Sequence, residues 1–158
     1  MATDVTKGGQ ETARDLLLAA VAGITAGIVF GIMIQFVLER MTAIGALYTL
    51  GEPSASVGWV AHLGHSALFA AVFALVTGVP ALHEYAADPT SGAVVGAGYG
   101  ALLWLANIVV IWPLWLNAVG LPGAPPFPYL PPASLQPLVG HLVWGGLLGV
   151  LYPAFSRP

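Results

Sequence analysis

The sequence predicts an all-α polytopic membrane protein, a four-helix transmembrane bundle assembled from two parallel copies of a helix pair. Three observations predict it. Of the 158 residues, 58% are hydrophobic and 7% charged, and the mean hydropathy is +0.86, so there are too few polar groups to cover a water-soluble globule. No charged residue occurs from Pro89 to Ser156, a stretch long enough for two crossings at about 20 apolar residues each. Glycines recur every fourth residue in two places, as Gly23, Gly27 and Gly31 and again as Gly92, Gly96 and Gly100, and each triplet falls on one helix face.

Taken in order, residues 1–15 form a polar tail with Asp4, Lys7, Glu11, Arg14 and Asp15, and residues 16–157 form a single transmembrane domain. The first span is placed at 16–38. Ala20-Val21-Ala22 looks like a signal cleavage site, but the apolar run continues to Leu38 and the segment before it carries acidic residues, so a retained helix is expected. The second span is placed at 58–79 and is followed by a short loop in which His83 and Glu84 should be solvated. The third, at 91–116, ends among Trp104, Trp112, Pro113 and Trp115, as an aromatic belt would. The connection 117–136 holds six prolines, two glycines, Phe127 and Tyr129 without a charge. It cannot be a helix, and its apolar character predicts contact with the bilayer interface or with another protein. The fourth span is placed at 137–155. Four crossings put Lys7, Arg14 and Arg157 on one side and Arg40 alone on the other, which predicts a cell-membrane protein with both termini cytoplasmic.

The two halves align. Residues 23–35, GITAGIVFGIMIQ, match residues 92–104, GAVVGAGYGALLW, with Phe30 beside Tyr99; the second and fourth spans then set His62 opposite His141 and His65 opposite Trp144. Each copy holds an even number of crossings, so the copies are related by an axis along the membrane normal. The glycine stripes read as helix-packing surfaces, with room for a planar ligand as the other reading.

The chemistry lies in the histidines. There is no cysteine, and a formal net charge of −3 without a basic patch argues against nucleic acid as a partner. His62 and His65 share a helix face, His141 lies at similar depth, and intramembrane ionisable groups point to a ligand, a pathway or a buried partner. One reading makes them interhelical hydrogen-bonding groups, with Gln35, Asn107, Ser66 or Thr25 as partners. Another makes His62 and His141 the ligands of a b-type haem or a metal in an electron carrier: with the second and fourth spans diagonal, two imidazoles would meet across the bundle axis. Gly58, Gly64, Gly140 and Gly145 would then leave room for a macrocycle, and His65 would support or replace a ligand. Histidine-based proton transfer or small-solute transport is a third reading, without an intramembrane carboxylate to assist it. Glu39 is expected to pair with Arg40. No nucleophile elbow, phosphate loop or zinc-hydrolase motif occurs, so no enzyme is expected. The leading expectation is a non-catalytic accessory or scaffold subunit that binds other membrane proteins, or a second copy of itself, through its glycine faces or its outer loop.

The pattern Met33, Ile44-Gly45-Ala46-Leu47-Tyr48, Gly58-Trp59-x-x-His62-Leu63-x-His65-Ser66, then Gly140-His141-Leu142-x-x-Gly145-x-Leu147-x-Gly149-x-x-Tyr152 allows for one further observation. It resembles small four-helix integral membrane proteins of halophilic archaea over nearly the whole chain. The resemblance implies the four-span fold and carries no activity with it.

Overall fold

The computed structural model describes residues 2–132 and 134–156, with side chains from Thr12 onward. Arg157 and the side chains of Asp4, Lys7 and Glu11, used above to orient the chain, lie outside the described residues. Among the described residues every regular element is helical: α1 (Ala2–Phe36), α2 (Met41–Ala46), α3 (Ala55–Thr77), α4 (Pro80–Ala87), α5 (Pro89–Trp104), a π-helical segment (Leu105–Ile111), α6 (Trp112–Ala118) and α7 (Gln136–Ser156). Four stretches are long and apolar enough to cross a membrane: Thr12–Phe36, Ala55–Thr77, Pro89–Ala118 and Gln136–Ser156.

Local chemistry sets the ends. α1 runs back through the polar tail to Ala2 and stops at Phe36, two residues short of Leu38, because Glu39 turns to a φ of 54° and the Arg40 N–H closes onto the Ile34 carbonyl at 3.0 Å. The Ser54 hydroxyl caps α3 by accepting from the Val57 N–H. The third span begins earlier than residue 91, since the Asp88 carboxylate accepts the N–H groups of Thr90 and Ser91 at 3.0 and 3.1 Å while Pro89 occupies the first turn.

Inside the third span the helix loosens from α to π geometry over Leu105–Ile111. The Trp112 N–H reaches back five residues to the Asn107 carbonyl. Pro113 has no N–H to offer Val109, four residues earlier. That freed carbonyl is taken from outside the helix, by the Tyr129 N–H of the proline-rich connection at 3.1 Å. The connection therefore folds down onto its own bundle, with Asn117 Nδ2 donating to the Pro125 carbonyl at 2.9 Å. Its Phe127 and Leu130 side chains nevertheless remain exposed.

Round the bundle, α3 packs on α1, α1 on α7, and α7 on α5, while α3 and α5 form no comparable backbone interface. The glycines explain the close pairs. A Cβ added at Gly23, Gly27 or Gly31 would meet Ala70, Ser66, or Trp59 and His62 on α3. One added at Gly92, Gly96 or Gly100 would meet the carbonyls of Gly149, Gly145 and His141 on α7. Small residues bring the backbones together because in lipid only dispersion and polar contacts hold helices to one another. The core they enclose contains Ala22, Ala26, Phe30, Ile34, Phe73, Trp144 and Leu148. The opposite faces expose Ile28, Ile32, Val60, Val94 and Leu102, as helices bathed in acyl chains do.

Candidate functional site

Where α3 and α5 part, the half of the bundle away from both termini contains a cavity of about 690 Å³. We call this the distal half. Below the cavity the gap is closed by the Tyr99 hydroxyl, which donates to the Phe69 carbonyl at 2.9 Å, and by the Phe73 ring packed at a tilt on Tyr99. The π-helical segment and α6 form one wall, α3 and α7 the others, and α2 with the proline-rich connection the roof. The cavity lies between the π-helical segment and the connection, which is tied to it through the Val109 carbonyl.

Most of the lining is apolar or aromatic, including Phe69, Leu103, Ile108, Trp112 and Trp115, with a few polar groups among them: Tyr48, His62, His65, Ser66, Asn107, Gln136 and His141. Among the described residues Arg40 is the one formal charge in the lining. Contrary to expectation, it makes no ion pair with Glu39 among the described residues.

The histidines take separate places. His62 and His141 both lie edge-on to the Phe30 ring, at centroid separations of 5.5 and 4.9 Å. His62 Nε2 donates to the Gly27 carbonyl at 2.8 Å, and His141 Nδ1 donates to the Pro137 carbonyl at 2.7 Å. A carbonyl can only accept, so these bonds place a proton on His62 Nε2 and on His141 Nδ1, and in the neutral ring the other nitrogen of each is a lone pair. His65 turns away to the distal rim, where its Nε2 is hydrogen-bonded to the Tyr48 hydroxyl and Tyr48 in turn packs on Trp115. Partial burial raises the Tyr48 phenol above its usual 10.0.

Gln35 and Asn107 do not serve as histidine partners. His62 reaches the Gly27 carbonyl because glycine there carries no side chain, and His141 bonds back to the Pro137 carbonyl four residues earlier on its own helix. Asn107 instead lines the cavity, with no side-chain hydrogen bond among the described residues. Ser66 is pressed against Gly27, and the Thr25 hydroxyl bonds its own helix at Val21. Nor do the glycines leave the space a macrocycle needs. Gly140 abuts the Phe30 ring, Gly58 the backbone of Met41 and Gly45, and Gly145 the backbone of Gly96, while Gly64 faces outward. Among the described residues no three His, Cys, Asp or Glu side chains are grouped to hold a metal ion.

Tyr48 and Trp112 belong to this site without having been singled out for it by position. Pro113 within an apolar run was the available signal: a proline there frees a carbonyl and opens the helix that carries it. Compared with known protein families, curated proteins and solved structures, the chain matches none.

Proposed function

We propose that the chain is a non-catalytic multi-pass membrane protein that holds a small lipophilic ligand in its distal cavity, on the external side of the cell membrane. The observation that carries this reading is the cavity itself. Its volume is within the roughly 300–1,000 Å³ of small-molecule sites, and it has the apolar walls and sparse, fixed polar groups that characterise them. The bundle around it reads as a duplicated helix pair. Adding 69 to the first-span positions and 79 to the second-span positions turns the contacts Gly23–Ala70, Gly27–Ser66 and Gly31–His62 into Gly92–Gly149, Gly96–Gly145 and Gly100–His141. The copies differ at the π-helical segment and the long connection, and those two departures make the cavity.

Native mass spectrometry of protein released gently from its own membrane tests the proposal. A small molecule should accompany the chain and be lost in Ala43→Trp, which fills the cavity from α2. A chain that carries no small molecule, with an unchanged mass profile in the variant, would overturn it. A second reading, attachment to another membrane protein, draws support from the exposed distal side chains of Leu50, Phe127, Leu130 and Leu135, at 90%, 54%, 61% and 60% of full exposure. The glycine faces give it none, since they are consumed within the bundle. Co-purification of a stoichiometric protein partner that is lost in Leu130→Ser would favour this second reading.

A further inference from the structure

Resting on the cavity as a ligand site, we infer that its ligand is an amphiphile with a single anionic headgroup, the head at Arg40 and the apolar body among Phe69, Leu103 and Trp115. The charge distribution points this way. Arg40 is the one Lys or Arg between Arg14 and Arg157, and it lies in the cavity lining. Among the described residues no carboxylate lines the cavity. Glu39 and Glu52, the acidic groups of the same distal loop, make no ion pair with Arg40 among the described residues. A cation at the mouth of a low-dielectric chamber attracts an anion more strongly than it would in bulk water, and a guanidinium binds a carboxylate or phosphate through paired N–H donors. The chamber below is neutral and aromatic, which suits an acyl or polyprenyl body and excludes a second charge. A carboxylate and a phosphate monoester share this chemistry; the first is used as the probe.

The experiment uses the full chain in nanodiscs of zwitterionic lipid, so that no anionic lipid competes. A brominated long-chain fatty acid, at a pH that ionises it, and its brominated methyl ester are titrated while tryptophan fluorescence is followed. Trp112, Trp115 and Trp144 line the cavity, so occupancy quenches them in a saturable way that unbrominated fatty acid reverses, whereas partitioning into the bilayer quenches without saturation. The carboxylate should bind about tenfold more tightly than the ester, the worth of one charge-assisted contact. Arg40→Gln should remove that preference while leaving ester binding intact, and Arg40→Lys should keep most of it. Because Arg40 is exposed, neither substitution disturbs the core. Equal saturable binding of acid and ester by the unaltered protein, or a preference that persists in Arg40→Gln, overturns the headgroup inference and leaves the cavity reading standing. Absence of saturable quenching by either probe overturns both.

Discussion

Replacing Gly96 with alanine should loosen the bundle measurably, while the same replacement two residues away at Gly98 should not. A methyl group at Gly96 would overlap the carbonyl of Gly145 and lie 3.0 Å from the Gly149 nitrogen. These are backbone atoms of α7, so no side chain can rotate aside and the two helices must separate. Overpacking of this kind costs about 1–3 kcal/mol. Helices in the unfolded membrane state remain helical, so the gain in helix propensity from Gly→Ala largely cancels. A net loss of about 2 kcal/mol follows, roughly thirtyfold in the folding equilibrium. At Gly98 an added Cβ meets nothing within 4 Å, and the change should stay within about 0.5 kcal/mol, as for a surface site. Reversible unfolding in mixed micelles with rising dodecyl sulfate fraction, followed by circular dichroism and tryptophan emission, measures both variants. If Gly96→Ala proved as stable as Gly98→Ala, the close α5–α7 approach described above would be wrong.

Other consequences can be checked with the same preparation. Trp144→Phe removes the Nε1–H that donates to the Gly23 carbonyl at 3.2 Å together with part of a buried ring system, and should cost more than the roughly 0.6–1.7 kcal/mol of an interhelical hydrogen bond in membranes, because the lost volume adds to it; no change in the unfolding midpoint would deny both the bond and the packing any net worth. Tyr48 has a folded pKa raised above 10.0, so the stability it lends is present below that pH and is lost as pH rises through the folded value; the tyrosinate absorbance missing in Tyr48→Phe should appear above 10.0, and a component titrating at or below it would contradict the burial. With Phe30 against both imidazoles, protein from haem-replete cells should show no Soret band that His62→Ala and His141→Ala both abolish; such a band would require the Phe30 ring to swing out. A cysteine at Ala124 should react with impermeant maleimide from outside the cell, and labelling only after permeabilisation would reverse the proposed orientation.

Much of the fold was legible because it depends on local pattern. The absence of charge from Pro89 to Ser156 and the four apolar runs determined an all-helical chain with four membrane-length helices, since a segment in lipid must satisfy its own backbone. The fourfold glycine spacing marked the faces where helices meet, because small side chains admit a neighbour wherever they recur on one face. Asp88-Pro89 and Ser54 announced helix starts. What tertiary structure alone decided was where polar groups find partners. The sequence offered Gln35 and Asn107 to the histidines, but His62 found the Gly27 carbonyl on another helix, and such proximity depends on rotation and spacing that no single segment specifies; His141 took the Pro137 carbonyl on its own helix. The room attributed to Gly140 was filled by Phe30, a residue 110 positions away. The cavity is the clearest case. It needs Pro113 to free the Val109 carbonyl, Tyr129 to take it, and α3 and α5 to diverge, and these three conditions become one site only when the chain is folded.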